Sequence, residues 1–391
     1  MTDLLSLTLP ELTAFMQDQF GQPPFRARQI WKWLWAKRAR SFSEMSDLTL
    51  CLRAELEASA RISRPEILER RVSDDGTVKF LLGLEDGCRV ETVLIPAESR
   101  DGKIRLTQCL SCQVGCPMGC TFCSTGAMGF TRNMTMAEIL GQLLVAQEYL
   151  DDKKHDPKLR NLVFMGMGEP LLNLKELLRA LKTLNSDEGL SFSPRRITVS
   201  TCGLAEGLEE LGQSGLAYLA VSLHAPTQEL RARIMPGAAR LHLDDLMKLL
   251  KDYPLRPRER LTFEYLLLGG VNDSPDEARA LARLMSRIKG KLNLIIYNPA
   301  EGLPYEEPAP ESVAAFEALL HGKKITATVR KSKGRDIGAA CGQLLAARPR
   351  RAGQIAQAGH KTCTGPLPPA PRAGQPPQAG NAPSPGEEGP G

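Results

Sequence analysis

Residues 106–126 read Leu-Thr-Gln-Cys-Leu-Ser-Cys-Gln-Val-Gly-Cys-Pro-Met-Gly-Cys-Thr-Phe-Cys-Ser-Thr-Gly, a strand-like start followed by a dense run of cysteines. One register in this run gives C-x3-C-x2-C: Cys116, Cys120 and Cys123. Starting from Cys112 the pattern fails, because position 119 is glycine. Three thiolates on one tight loop hold three irons of a four-iron cluster and leave the fourth open. Two other readings stand beside this one. Zinc sites usually pair two C-x2-C knuckles, and Cys109 or Cys112 is available as a fourth ligand for a closed, ferredoxin-like cluster.

Outward from the cysteines, short apolar runs alternate with longer helical ones. Leu106–Ser111, Leu162–Met167, Arg196–Ser200, Tyr218–Leu223, Leu261–Leu267 and Leu292–Tyr297 read as strands. Between them, segments such as Thr135–Leu150 repeat apolar residues at helical spacing. Strands each followed by a helix imply a parallel sheet. The expected fold is therefore α/β, a partial (β/α)6 barrel over residues 101–345 with its chemistry on loops at the strands' C-terminal ends. Residues 1–100 form a small N-terminal accessory domain of helices and strands. Within it, 26–40 (RARQIWKWLWAKRAR) holds all three tryptophans and six basic residues. Ala27, Ile30, Trp31, Leu34 and Trp35 share a core-facing stripe, and the cations around it suit phosphates. Residues 346–391 contain ten prolines and eight glycines. Such a tail is expected to be disordered, since it buries too little apolar surface to offset its ordering entropy.

The 391-residue chain has a hydrophobic fraction of 42%, enough for a sizeable core. No apolar run is long enough to span a membrane, and the first residues lack the marks of a signal peptide. A cytoplasmic protein with no membrane partner follows. In a reducing compartment, clustered cysteines signal metal or catalysis rather than structural disulfides. The net charge of +5 is a mild hint of a polyanionic partner.

The wider sequence around the cysteines resembles the radical S-adenosylmethionine (SAM) enzymes, and within them the RlmN/Cfr group of adenine methyltransferases. The resemblance rests on Gln113–Cys116, Cys123–Gly126, Gly129–Asn133, Gly166–Asn173, Val199–Thr201, Ser222–Pro226, Tyr297–Pro299 and Asp336–Leu344. It implies a radical SAM barrel and a 4Fe–4S cluster on Cys116, Cys120 and Cys123. It implies SAM contacts from Gly168, Glu169, Ser200, Ser222, Leu223, His224 and Asn298, with two SAM molecules used per turnover. The implied substrates are 23S rRNA and tRNA, and the implied electron donor is a flavodoxin or ferredoxin.

It further implies that Cys341 becomes S-methylcysteine and carries a methylene to C2 of adenine. Cys109 then resolves the protein–RNA adduct through a transient disulfide, and Glu91 accepts a proton. On the residues alone Cys341 reads equally as a small buried side chain, and Glu91 as an exposed strand carboxylate. Lys331, Lys333 and Arg335 lie near Cys341 in sequence and are expected to favour its thiolate. A lone histidine such as His224 is more often a satisfied core residue, and serines at strand ends usually cap helices. Two alternatives remain open: C8 rather than C2 methylation by the same cysteines, and a non-catalytic iron–sulfur RNA binder, which would need neither Cys109 nor Cys341.

Overall fold

The computed structural model describes residues 1–98, 101–152, 159–286 and 288–344. The proline- and glycine-rich tail therefore lies outside the described residues. Thr8 and Glu11 open the first helix: the Glu11 carboxylate accepts from the Thr8 amide at 2.7 Å and from the Thr8 hydroxyl at 2.8 Å, satisfying a backbone donor at the helix start. The N-terminal elements are β1 (Thr2–Asp3), α1 (Leu9–Phe20), α2 (Pro24–Trp35), α3 (Leu50–Ser59) and β2 (Ala60–Arg61). Helix α2 buries Ala27, Ile30, Trp31, Leu34 and Trp35, and the two tryptophans meet edge-on at 5.7 Å. The apolar stripe is thus core, as its spacing predicts. The basic stretch divides differently from expectation, because the helix stops at Trp35. Beyond it Arg38 pairs with Asp151 and Arg40 with Glu148, while the Lys37 ammonium sits 3.4 Å from the Trp33 ring centre. These cations are engaged within the protein.

The next strands are β3 (Glu66–Val72), β4 (Val78–Gly83), β5 (Arg89–Glu98) and β6 (Ile104–Cys109). They pair antiparallel in sequence order. After β6 come β7 (Gln113–Gly115), α4 (Ser124–Ala127), β8 (Phe130–Asn133), α5 (Met136–Asp152) and β9 (Leu159–Phe164). The βα alternation continues through α6 (Leu174–Asn185), β10 (Ile197–Thr201), α7 (Ala205–Ser214), β11 (Tyr218–Ser222), α8 (Gln228–Ile234) and α9 (Leu243–Lys251). It closes with β12 (Leu261–Leu267), α10 (Pro275–Met285), β13 (Gly290–Ile296), α11 (Pro310–Gly322) and β14 (Ala327–Arg330).

One sheet joins all the long strands, in the order β14-β13-β12-β11-β10-β9-β6-β5-β4-β3. From β6 through β14 its neighbours run parallel. The barrel is partial, and β5, β4 and β3 extend it as an antiparallel wing rather than standing apart as a sheet of their own. Helices cover the parallel part: α6 buries Leu177, Leu178, Leu181 and Leu184, and α9 buries Leu243, Leu246 and Leu250. Parallel strands covered this way present their C-terminal ends together, and Cys109, Thr201 and Ser222 are such ends. Among the described residues no helix is long and apolar enough to cross a membrane.

Candidate active site

The cysteine loop is closed by its own backbone. Strands β7 and β8 pair antiparallel on either side of it, and the Cys116 amide donates to the Gly129 carbonyl at 2.8 Å. Gly115 makes that closure possible: its φ is +75°, and a Cβ there would lie 1.9 Å from the Gly129 oxygen. Inside the loop the Cys123 amide donates to the Cys120 carbonyl, and the Thr121 amide donates to Ile234 on the neighbouring segment. Sequence periodicity misses this small hairpin, because strands of three and four residues show no alternation to read.

A buried polar network holds the approach to the loop. Gln142 accepts from the Ser111 amide at 2.9 Å and donates to the Ser111 carbonyl at 2.8 Å. Gln108 donates to the Gln142 carbonyl and to Thr92. The one sequence signal for this network is a glutamine amid the apolar residues of α5.

Cys116, Cys120 and Cys123 open onto a cavity of about 160 Å³ that Gly168, Glu169, Ser200, Ser222, His224 and Cys341 also line. Glu169 is buried, and its two oxygens accept from the Leu171 and Cys202 amides at 3.1 and 3.0 Å. Burial pushes its carboxyl up even so. Gly168 has φ +104°, and a Cβ would collide with Gln113, so glycine here serves a close chain crossing. The Ser200 and Ser222 hydroxyls lie 3.3 Å apart.

His224 takes a left-handed φ of +52°, and its Nδ1 accepts from the Leu266 amide at 2.9 Å. Burial and the Arg231 charge hold its pKa at about 3, so the ring is neutral. Leu223 and Asn298 are buried and are not among the residues that line the cavity. Asn298 donates to Ser332 at 2.8 Å, while its Oδ1 is buried with no partner. Glu264 was not singled out from the sequence, yet it lines the cavity. Burial raises its carboxyl to about 7, partly offset by a hydrogen bond from Asn293.

The donor set of these residues fits an iron–sulfur cluster beside a polar ligand. Thiolates are the ligands such clusters take. Among the described residues no three His, Cys, Asp or Glu side chains converge on one ion, whereas a cluster takes one thiolate per iron. Burial pushes Cys116 up to about 12 and Cys120 well above its ordinary value, so metal binding there must displace protons. Neither candidate fourth ligand lines the cavity. The Cys112 sulfur is directed at the Met167 carbonyl at 3.6 Å, and Cys109 is outside the lining. The unpartnered Asn298 oxygen is an acceptor left for a ligand's donor.

Cys341 and Cys109 are both free thiols, near enough that the charge of Cys341 bears on Cys109. Cys341 is exposed on its loop, yet protein atoms crowd its sulfur. That burial, with Glu264 and Cys123 nearby, raises the thiol to about 11. The expected activation by neighbouring cations is therefore not what the structure shows. Lys333 turns toward Asp75 at 3.9 Å, and Arg335 pairs with Glu307 at 2.5 Å. Nor is Glu91 an exposed carboxylate: it is buried and pairs with Lys79 at 3.1 Å. It does not line the cavity.

Comparison with known proteins agrees with this arrangement. Residues 110–282 match the radical SAM superfamily, and residues 2–62 match the ribosomal RNA large subunit methyltransferase N-terminal domain. The chain is 67% identical over 347 residues to the dual-specificity RNA methyltransferase RlmN of Nitratidesulfovibrio vulgaris (strain DSM 19637 / Miyazaki F), covering 88% of this chain and 95% of that protein. It is 59% identical to the protein of the same name from Solidesulfovibrio magneticus, over 88% of this chain and 97% of the relative. The crystal structure of a radical SAM methyltransferase from Sphaerobacter thermophilus superposes with a TM-score of 0.82 at 40% identity, covering 89% of this chain and all of that one. With such identity along nearly the whole length of these relatives, the chain belongs to the RlmN family of radical SAM RNA methyltransferases.

Proposed function

We propose that this enzyme methylates C2 of adenine in 23S rRNA, in the peptidyl-transferase loop, and in tRNA, at the adenine 3′ to the anticodon. The observation that carries the reading is one juxtaposition: Cys341 shares a cavity with Cys116, Cys120 and Cys123 while bearing electrostatically on Cys109. A simple RNA binder needs neither of those two thiols. The family's cofactors are a 4Fe–4S cluster and SAM. In this reading Cys116, Cys120 and Cys123 hold the cluster, and Gly168, Glu169, Ser200, Ser222, Leu223, His224 and Asn298 surround SAM. When bound, the pair supplies a methyl group to a nucleophile and a radical able to abstract hydrogen.

Cys341 is the methyl carrier: its sulfur takes the methyl, and after loss of one hydrogen atom the methylene joins C2 of adenine. Glu91 takes the proton that C2 gives up. Cys109, as thiolate, attacks the Cys341 sulfur and breaks its bond to the methylene carbon. That carbon takes up a proton to complete the methyl group, the one surplus electron of the adduct would return to the redox system that supplied the first, and the disulfide forms as the methylated base leaves. A two-electron thiol reductant then restores both cysteines. Residues 1–100 serve as the RNA-contacting region and 101–345 as the radical SAM core, with a flavodoxin or ferredoxin as electron donor and the cytoplasm as the setting. Nucleoside mass spectrometry of rRNA and tRNA from a strain lacking the gene tests the proposal. Loss of 2-methyladenosine from both RNAs is expected. Loss from one alone removes the dual specificity, and loss of 8-methyladenosine instead overturns the regiochemistry.

A further inference from the structure

The loop carrying Cys341 is fastened differently on its two sides. After the cysteine, the Gly342 carbonyl accepts from the Ser124 amide and the Leu344 carbonyl accepts from the Thr125 hydroxyl, both at 2.8 Å. That side belongs to the cysteine loop. Before the cysteine, the ties come from the antiparallel wing. The Gly334 amide donates to Asp75 at 2.9 Å, and the Ser73 hydroxyl donates to Asp336 at 2.6 Å. The Lys79 ammonium donates to the Gly338 carbonyl at 3.0 Å and pairs with Glu91 at 3.1 Å.

Strand register gives the Lys79 contact its meaning. Lys79 stands opposite Val93 on β5, and Val93 stands opposite Cys109 on β6. Residues directly opposite in antiparallel pairs share a face, so Lys79, Val93 and Cys109 form a row. Two strand spacings separate its ends, about 9.5 Å. From Gly338 to Cys341 is three residues, which reach at most about 10 Å. A loop anchored over Lys79 thus keeps Cys341 within three residues of the row that ends at Cys109, and the two thiols interact.

Burying an ammonium and a carboxylate together is costly unless both are well satisfied, and both side chains here are nearly buried. Packing alone would be met more simply by methionine. Resting on the reading of Cys341 as methyl carrier and Cys109 as resolving thiol, we propose that Lys79 is a positioning residue. Held by Glu91, it pins the Gly338 carbonyl and so sets where the Cys341 sulfur stands between the cavity and Cys109.

The test uses full-length, cluster-reconstituted enzyme with RNA and reads four quantities: methyl on Cys341 by peptide mass spectrometry, 5′-deoxyadenosine, 2-methyladenosine, and covalent protein–RNA adduct. Misplacing a reacting group by about 1 Å costs on the order of 100-fold. Lys79→Met should therefore raise the ratio of 5′-deoxyadenosine to methylated RNA about tenfold or more, with adduct accumulating and iron content unchanged. Lys79→Arg, which keeps the cation, should recover much of the coupling. Ser73→Ala, which loosens the same side of the loop without touching a buried charge, should shift the ratio in the same direction by less.

A wild-type ratio in Lys79→Met overturns the proposal. So does a ratio that changes only in step with lost iron, or one that Lys79→Arg leaves as poor as Lys79→Met. Should Lys79→Met fail to fold, an unchanged ratio in Ser73→Ala overturns it. The wild-type sample separates the two levels of inference. No methyl on its Cys341 sinks the methyl-carrier reading itself, whereas a methylated wild type with indifferent variants sinks only the tether.

Discussion

The loop at 116–129 presents three cysteines and the loop at 331–344 one to the same cavity, but they are built on opposite principles. The first is held from within: a hairpin closes it, a glycine with positive φ lets the two ends touch, and backbone groups satisfy one another. The second has turns of its own, with the Gly338, Ala339 and Gln343 amides donating to Arg335, Gly334 and Ala340, but no strand ladder, and it is fastened to the rest of the protein by Asp75, Ser73, Lys79, Ser124 and Thr125. The difference matches the role proposed for each. Cluster ligands have one station. In the proposed mechanism the Cys341 thiol receives a methyl, meets a base and is then resolved by Cys109, so it has several, and isolated ties, most of them from side chains, yield more readily than a backbone ladder.

Breaking the cluster loop should have the largest effect. Replacing Cys116, Cys120 and Cys123 together with Ala should remove iron and abolish SAM cleavage in anaerobically reconstituted protein. Retention of both would mean that the cavity holds its metal elsewhere. The Cys341 loop should fail in stages instead. Cys341→Ala should cleave SAM yet form neither methyl-protein nor product. Cys109→Ala should become methylated and add to RNA, but then stay attached to it. The diagnostic is a protein–RNA band that survives denaturing electrophoresis and disappears with nuclease. Cys112→Ala, whose sulfur faces the Met167 carbonyl, should release RNA normally. If Cys112→Ala traps RNA and Cys109→Ala does not, the resolving thiol is misassigned.

A smaller perturbation sharpens the contrast. Gly115→Ala places a Cβ against the Gly129 oxygen and also forces alanine into the left-handed region, which alone costs about 1–2 kcal/mol. Gly87→Ala has a similar φ of +79° but nothing within 4 Å of the added carbon, so it isolates the backbone cost. Gly115→Ala should lose much of its reconstituted iron, while Gly87→Ala should keep it and lose only the roughly 1–2 kcal/mol of stability. Equal iron content in the two would show that the hairpin does not shape the cluster site.

How much of this was legible in the sequence follows the same division. The cysteine register, the βα alternation and the buried stripe of α2 are local patterns, and each stands where its spacing put it. What the sequence hid is long-range. Ser73 and Asp336 are 263 positions apart, and no periodicity announces their contact. Proximity in sequence also misled: Lys333 and Arg335 lie close to Cys341 along the chain, yet they reach Asp75 and Glu307. Glu264 stayed hidden because it interrupts an apolar strand with a single carboxylate, and only folding shows that it faces the cavity.

The basic stretch at 26–40 carries the smallest expected effect and divides along the same line, between cations that hold the fold and cations that face outward. Arg28 and Lys32 are exposed on α2, whereas Arg38 and Arg40 bind acidic residues near the end of α5. Phosphate contacts release counterions, and each one lost lowers the slope of log affinity against log salt by about 0.7–0.9. Replacing Arg28 and Lys32 with Ala should therefore weaken RNA binding and flatten that slope, leaving the melting temperature nearly unchanged. Replacing Arg38 and Arg40 with Ala should do the reverse. Exposed ion pairs contribute about 0–1 kcal/mol each, so the melting point should fall by a few degrees while the salt slope stays close to wild type. Anisotropy titrations of a labelled RNA hairpin at two salt concentrations, paired with thermal melts, read both quantities. A flattened slope for the Arg38 and Arg40 variant alone would make those ion pairs a resting arrangement that RNA displaces, and would move the contact surface from the helix to the segment after it.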